Sequence, residues 1–188
     1  MLQVMGMVHI LKGIYKMIKK IRFEIASDSY AEMAHLEFFN NGVELSVNTS
    51  AKTLTLKNNT VHTFTAKASS EYGSGFNALA VFGKNGPAHT GDCWCSSGTG
   101  GTHWLELEFT PPLPNTFANK ITFCCGENEG SYPGTFTLFF IDENDVKKQI
   151  AEPVRVTAKN GLFEWRSVIP CLLGKNGRYY FLKPKAAT

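Results

Sequence analysis

Apolar and polar residues alternate with a period of two along much of the chain. The clearest example is residues 104–109, "WLELEF", where glutamates alternate with apolar residues. A period of two is typical of a half-buried β-strand rather than a helix. We therefore predict a strand with an apolar face, formed by Trp104, Leu105, Leu107 and Phe109, and a solvent-facing side, formed by Glu106 and Glu108.

Similar short runs predict further strands along the chain. They lie at residues 18–25, 34–39, 120–125, 135–141, 162–168 and 178–182. Asn-Gly dipeptides, which supply the positive φ angles of tight hairpin turns, occur at residues 41–42, 85–86, 160–161 and 176–177. Many short strands with such turns between them predict an all-β protein, an antiparallel β-sandwich or jelly roll.

Two segments near the ends depart from this pattern. Leu11, Ile14, Tyr15 and Ile18 fall on one helical face, which predicts a short N-terminal helix. "MIKKIRFEI" from Met17 reads as a natural start for a protein that begins with a strand, so we predict an N-terminal extension at residues 1–16 and a single domain at 17–188. Whether Met1–Lys16 belongs to the native protein stays open. Residues 162–183 either close the sandwich or dock on a partner.

Length and charge restrict the classes of function. A chain of 188 residues with 43% hydrophobic residues can form one domain with its own core. The net charge of +3 and the lack of long Lys/Arg runs give no reason to expect nucleic acid as a partner. We expect neither membrane insertion nor a secretory signal, because the sequence shows no apolar run of roughly 18 residues and no leader with a cleavage site.

The five cysteines allow three interpretations. They are Cys93, Cys95, Cys124, Cys125 and Cys171. The C-x-C pair could form a metal knuckle with His89 or His103, although structural zinc sites usually use C-x2-4-C. Cys93 or Cys95 could also bridge to Cys124 or Cys125. Reduced thiols that pack as small hydrophobes are the favoured interpretation, and we predict no metal and no cofactor.

Catalytic motifs are missing from the sequence. It contains no G-x-S-x-G, H-E-x-x-H, G-x-x-x-x-G-K-[ST] or strand-to-helix G-x-G-x-x-G pattern. Glu106 and Glu108 are paired carboxylates, but nothing in the sequence predicts the desolvation that would adapt one of them to acid-base catalysis. We therefore predict a protein that is not an enzyme.

Residues 65–109 resemble the opening of discoidin or coagulation-factor type C domains, which are galactose-binding-like β-sandwiches. The matching features are Ala68-Ser69-Ser70, Ala78 with Ala80, Phe82-Gly83, Trp94 with Ser96, and the strand from Trp104 to Phe109. Residues 136–150 look like a further family strand and turn, with Glu143-Asn144-Asp145 at the turn. Residues 21–45 resemble the closing strands of the family. Here they come first, which is an order associated with phage-encoded virion and tail proteins.

The resemblance implies a ligand site in the loops at one end of the sandwich. The loops are residues 70–75, 83–92 and 126–134, and the candidate ligand-binding residues are Tyr72, His89, Asp92, Trp94, Glu127, Asn128 and Tyr132. Trp94 is either a core residue, as in the family pattern, or a stacking platform. The Asp that helps to organise calcium in the family is missing, since Phe82 is followed by Gly83-Lys84, and this argues against calcium.

The resemblance also implies where the protein acts and which partners it has. We expect a noncatalytic virion component of a bacteriophage, made in the host cytoplasm: a tail, collar or capsid-decorating protein present in many copies. Its partners would be other virion proteins and, for adhesion, host surface glycans. One alternative is a purely structural cement or adaptor protein, and another is a carbohydrate-binding accessory module of a glycan-active enzyme.

Overall fold

The computed structural model describes residues 17–84, 92–124, 134–156 and 162–166, and their regular structure is almost entirely β. The strands are β1 Ile18–Ser27, β2 Glu32–Asn40, β3 Val43–Glu44, β4 Ser46–Asn48, β5 Thr53–Thr55, β6 Val61–Ala68, β7 Cys93–Cys95, β8 Gly101–Leu113, β9 Lys120–Cys124, β10 Gly134–Asp142, β11 Lys147–Gln149, β12 Val154–Val156 and β13 Leu162–Arg166. Two short 3₁₀ helices, Ser74–Phe76 and Ala78–Phe82, follow β6. The predicted all-β class is confirmed.

The described strands form two sheets with antiparallel pairing throughout. The larger sheet has eight strands in the order β11-β10-β1-β8-β6-β5-β4, and β12 also pairs with β10. The smaller sheet has five strands in the order β13-β9-β2-β3, and β7 also pairs with β2. Strand β1 lies in the middle of the larger sheet between β8 and β10, so this early segment joins strands that are distant in sequence.

Aromatic side chains join the inner faces of the two sheets. Phe123 of the smaller sheet lies 4.8 Å, between ring centroids, from Phe136 of the larger sheet. Trp165 stacks on Phe123 at 4.6 Å and contacts Phe23 of the larger sheet at 5.8 Å. These contacts place one continuous apolar core between the sheets, as in a β-sandwich. Trp165 is fully buried, so strand β13, which pairs with β9, contributes to the core from the smaller sheet, whereas residues 167–183 lie outside the described residues.

Two turns follow their sequence signals. Asn41 and Gly42 have φ angles of +51° and +81°, so the predicted Asn-Gly turn joins β2 to β3. At the β10–β11 turn the side chain of Asp142 accepts hydrogen bonds from the backbone N–H groups of Asn144 and Val146. The remaining Asn-Gly dipeptides lie outside the described residues, as does the predicted strand at 178–182.

Strand β8 corrects one prediction from the sequence. Leu105, Leu107 and Phe109 are buried in the core as expected, but Trp104 is only half-buried. The reason is the strand period itself, which places Trp104 on the outer face with Glu106 and Glu108. The sequence also assigned Glu106 to solvent, yet it is only 8% exposed, because cationic side chains of β1 lie against it.

The predicted N-terminal helix and the extension at residues 1–16 lie outside the described residues. Ile18, which was assigned to that helical face, is the first residue of β1. Across the ranges that the structure describes, there is no helix with the length and apolar character needed to cross a membrane.

Candidate functional site

Several chain connections meet at one end of the sandwich, which we call the loop end. Ser27, the last residue of β1, pairs with the first residues of β8 and β10, Gly101 and Gly134. The segments at residues 28–31, 69–77 and 96–100 therefore lie at this end. Backbone hydrogen bonds connect them, from Tyr72 N–H to Cys95 O at 2.8 Å and from Gly100 N–H to Ser29 O at 3.0 Å.

The loop end carries an aromatic cluster of Tyr30, Tyr72 and Phe76. The Tyr72 ring lies 5.7 Å from the Tyr30 ring and 5.8 Å from the Phe76 ring, and both pairs meet edge to face at 87°. Tyr72 is nevertheless 59% exposed. The two neighbours thus fix the ring of Tyr72 while leaving much of it open to solvent, which suits stacking against a ligand.

Side-chain hydrogen bonds order the segment that carries Tyr72. The Glu71 carboxylate accepts from Ala78 N–H at 2.8 Å, and the Asn77 side-chain oxygen accepts from Leu79 N–H at 3.0 Å. The indole N–H of Trp94 donates to Ser70 O at 3.0 Å from inside the core. Tyr72 is therefore presented from a fixed segment, which lowers the entropy lost when a ligand binds.

A polar groove of about 410 Å³ opens at the same end of the sandwich, on the outer face of the larger sheet, and its lining is separate from the aromatic cluster. Its centre is a cross-strand row in which Arg155 pairs with Thr135, Thr135 with Ala26, and Ala26 with Thr102. The small side chain of Ala26 leaves space between the two threonines. Gly101, Gly134, Ser27 and Asp28 complete the lining.

The turn after β1 joins the groove to the aromatic cluster. The Ser27 hydroxyl donates to Tyr30 O at 3.4 Å and accepts from Ser29 N–H at 3.1 Å, which closes the turn. Asp28 lines the groove and Tyr30 belongs to the cluster. One short segment thus connects the two features, so the loop end carries both an aromatic surface and polar groups.

The predicted ligand residues have different positions in the structure. Tyr72 lies in the aromatic cluster. Trp94 is fully buried and belongs to the core, so of its two interpretations the structure shows the packing one. Asp92 is half-buried against Gly83, and the neighbouring Lys84 pairs with Glu37 and Glu44 of the smaller sheet instead of reaching the loop end. The other candidates, His89, Glu127, Asn128 and Tyr132, lie outside the described residues.

The cysteines of the described ranges are buried or half-buried thiols without a disulfide. Cys93 and Cys124 pair with opposite sides of Ala34, so two strand spacings, about 9.5 Å, separate them. That distance exceeds what a disulfide spans. Burial raises the pKa of Cys93 to about 12 and, together with nearby Glu32, raises the pKa of Cys95 as well. Both thiols are therefore protonated and inert at neutral pH.

Metal ligation was the alternative interpretation of this region. In the described ranges, no group of three or more His, Cys, Asp or Glu side chains is placed to hold a metal ion. Cys95 Sγ instead donates a hydrogen bond to Glu32 Oε1 at 3.6 Å. Of the two histidines in that interpretation, His103 is half-buried on β8 and His89 lies outside the described residues.

The fold thus defines an antiparallel β-sandwich with an aromatic cluster and a polar groove at its loop end. Comparison of the chain with family models, curated proteins and solved structures found no match. The resemblance to discoidin-type domains therefore stays a prediction from the sequence motifs.

Proposed function

We propose that the protein is a noncatalytic adhesion domain of a phage virion that binds host surface glycans through its loop end. The observation that carries this proposal is the exposed ring of Tyr72, held between Tyr30 and Phe76 at the end of the sandwich that also carries a polar groove. Sugars have apolar ring faces and polar hydroxyl edges, so they match a surface that offers both kinds of group.

The open form of the site favours weak binding of each copy. Tyr72 is exposed and the groove lies on an outer sheet face, so a sugar bound there would keep much of its surface in water. Useful adhesion would then come from many copies on one particle, because linked weak sites gain strength through their effective concentration. This agrees with a tail, collar or capsid-decorating protein.

The virion assignment is supported by the sequence motifs and their order alone. Residues 21–45, which resemble the closing strands of discoidin-type domains, form β1 and β2 and lie at the start of the described chain. Strand β1 pairs with β8 on one side and β10 on the other, so this early segment is an integral part of the larger sheet.

The first test is a glycan array with the purified protein and two variants. Tyr72→Ala removes the exposed ring, whereas Val61→Ala removes a similarly exposed apolar side chain that lies at the opposite end of β6. We expect binding to a subset of glycans that falls at least tenfold in Tyr72→Ala and is unchanged in Val61→Ala. Equal binding by all three proteins would remove the loop end from the proposal.

The second test locates the protein by antibody labelling of purified particles. Labelled particles together with glycan binding support adhesion. Labelled particles without glycan binding on the array would support the cement or adaptor alternative. Glycan binding without particle labelling would instead support the accessory module of a glycan-active enzyme.

A further inference from the structure

The polar groove at the loop end contains two charged side chains of opposite sign. Arg155 and Asp28 both line it, and within the described part of the chain neither makes an ion pair or a side-chain hydrogen bond. On the adjacent β1, by contrast, Lys20, Arg22 and Glu24 are all paired. The groove therefore presents unused hydrogen-bonding capacity.

The chemistry of these groups is complementary. A guanidinium only donates hydrogen bonds, a carboxylate only accepts them, and the hydroxyls of Thr102 and Thr135 do both. A ligand that satisfies all of them must itself donate and accept at several adjacent positions. Neighbouring hydroxyl groups on a sugar ring meet this requirement. A purely anionic group would pair with Arg155 but would offer no donor to Asp28, which is exposed and would stay bound to water.

The size and shape of the groove agree with a small ligand of this kind. Its volume of about 410 Å³ lies within the usual range of small-molecule sites, about 300–1,000 Å³. The row Arg155, Thr135, Ala26 and Thr102 crosses four neighbouring strands. Adjacent residues of such a row are about 5 Å apart, so successive polar groups lie on either side of the gap at Ala26.

The charges of the two side chains also favour uncharged sugars over acidic ones. The formal charges of Asp28 and Arg155 cancel, so the groove offers no net attraction to an anion. A carboxylate on the ligand would be attracted by Arg155 and repelled by Asp28. An uncharged sugar avoids this repulsion and keeps its hydrogen bonds to both groups.

We propose that this groove is a subsite for an uncharged hexose with adjacent hydroxyl groups, and that Asp28 excludes acidic sugars from it. The proposal rests on the proposed glycan-binding function and specifies its ligand class. Asp28 and Arg155 act as specificity-determining residues, while the aromatic cluster at the same end of the sandwich supplies a separate stacking surface.

The experiment measures binding of matched sugars to the full chain by NMR titration. The probes are methyl galactoside with galacturonic acid, and methyl glucoside with glucuronic acid. The variants are Arg155→Gln and Asp28→Asn, with Lys148→Gln as an exposed control at the other end of the sheet. All three change exposed side chains, and melting curves check that each variant is folded.

We expect the wild type to bind at least one hexoside about tenfold more tightly than its acidic counterpart. Arg155→Gln should weaken hexoside binding about fivefold or more, and Asp28→Asn should reduce the preference for uncharged over acidic sugars to about twofold or less. Lys148→Gln should match the wild type.

Two results would overturn the proposal, and they can be told apart. If glycans bind in a Tyr72-dependent way while Arg155→Gln and Asp28→Asn leave both affinity and preference unchanged, the groove is not the subsite but the adhesion function stands. If no saccharide binds the wild type on the array or by NMR, the adhesion function fails and the groove proposal fails with it.

Discussion

The guanidinium of Arg22 lies 4.3 Å from the ring centroid of Trp104 on the outer face of the larger sheet. Arg22 also pairs with Glu24 at 3.0 Å and with Glu106 at 3.3 Å. A cation over an aromatic face is favourable, and here it also covers apolar surface that would otherwise contact water. Trp104 therefore contributes to the outer face and not to the core.

Because Trp104 lies on the outer face and Trp94 in the core, we expect their substitution to reduce stability by different amounts. Trp104→Leu should lower the free energy of unfolding by only about 1 kcal/mol, since it removes a cation–π contact and partial burial. Trp94→Leu should cost about 3 kcal/mol or more, because Trp94 is fully buried and its N–H bonds to Ser70 O. Urea unfolding followed by circular dichroism measures both. Equal losses would show that Trp104 also acts as a core residue.

Strand existence could be predicted from the sequence, whereas strand neighbours could not. The alternating pattern located β1, β2, β8, β9, β10 and β13, because burial of one face imposes a period of two. The prediction for Trp104 was wrong because it assumed that a tryptophan belongs to the core. The period of the strand instead puts Trp104 on the outer face.

The candidate site was harder to predict than the strands, because its residues come from strands that are neighbours only in the folded sheet. Tyr72 could be predicted because it lies in a loop with glycines close by. Asp28 and Arg155 could not, because their proximity depends on β1, β8, β10 and β12 pairing in one register. Register is set by long-range packing, and a single sequence does not show which strands become neighbours. The roles of His89, Glu127, Asn128 and Tyr132 stay predictions.

The contact between Gly83 and Asp92 leads to a second prediction. A Cβ atom at Gly83 would lie 2.2 Å from Asp92 Cα, which is far inside van der Waals contact. Gly83 has φ −61° and ψ 144°, so alanine suits the backbone and only the contact opposes it. Gly83→Ala should lower the free energy of unfolding by about 2–3 kcal/mol.

Gly73→Ala is the matched control, because that glycine is extended and a Cβ atom added there would have no other atom within 4 Å. Its effect should stay within about 0.5 kcal/mol. Thermal unfolding of the two variants makes the comparison. A Gly83→Ala protein as stable as the control would mean that the backbone at Asp92 shifts at little cost.

The ion pair between Lys20 and Glu106 gives a pH dependence. Lys20 Nζ lies 3.1 Å from Glu106 Oε1, and this hydrogen bond raises the pKa of Lys20 above its usual 10.5. A raised pKa in the folded state means that the stabilisation is fully present below pH 10.5 and is lost as the pH rises through the higher value. Lys20→Met should therefore cost about 1 kcal/mol at pH 7–9, and the difference from the wild type should shrink only as the pH rises above 10.5.

Urea unfolding of wild type and Lys20→Met between pH 7 and pH 11.5 measures this difference. Lys57→Met, at an exposed turn position without an ion pair among the described residues, is the control and should differ little from wild type at any pH. A Lys20→Met deficit that stays constant to the highest pH would assign the effect to packing of the side-chain stem and not to its charge.

The buried thiols of β7 give the last prediction. Because burial raises the pKa of Cys93 to about 12, its thiolate fraction at pH 8 is about 1 in 10,000, compared with about 1 in 10 for a thiol with the ordinary value of 9. In the folded protein, iodoacetamide should alkylate Cys93 and Cys95 about 1,000-fold more slowly than in urea. The half-buried Cys124 should be labelled earlier. Peptide mapping by mass spectrometry identifies each site.

The same labelling separates burial from metal ligation as the cause of protection. Protection by burial depends on folding alone, so a chelator such as EDTA should leave the rates at Cys93 and Cys95 unchanged. If EDTA exposed both thiols while circular dichroism still showed a folded protein, the metal knuckle would replace burial as the explanation. If Cys93 reacted as fast as Cys124 without a chelator, the short edge strand β7 would have to open readily from β2, against its observed pairing with Ala34.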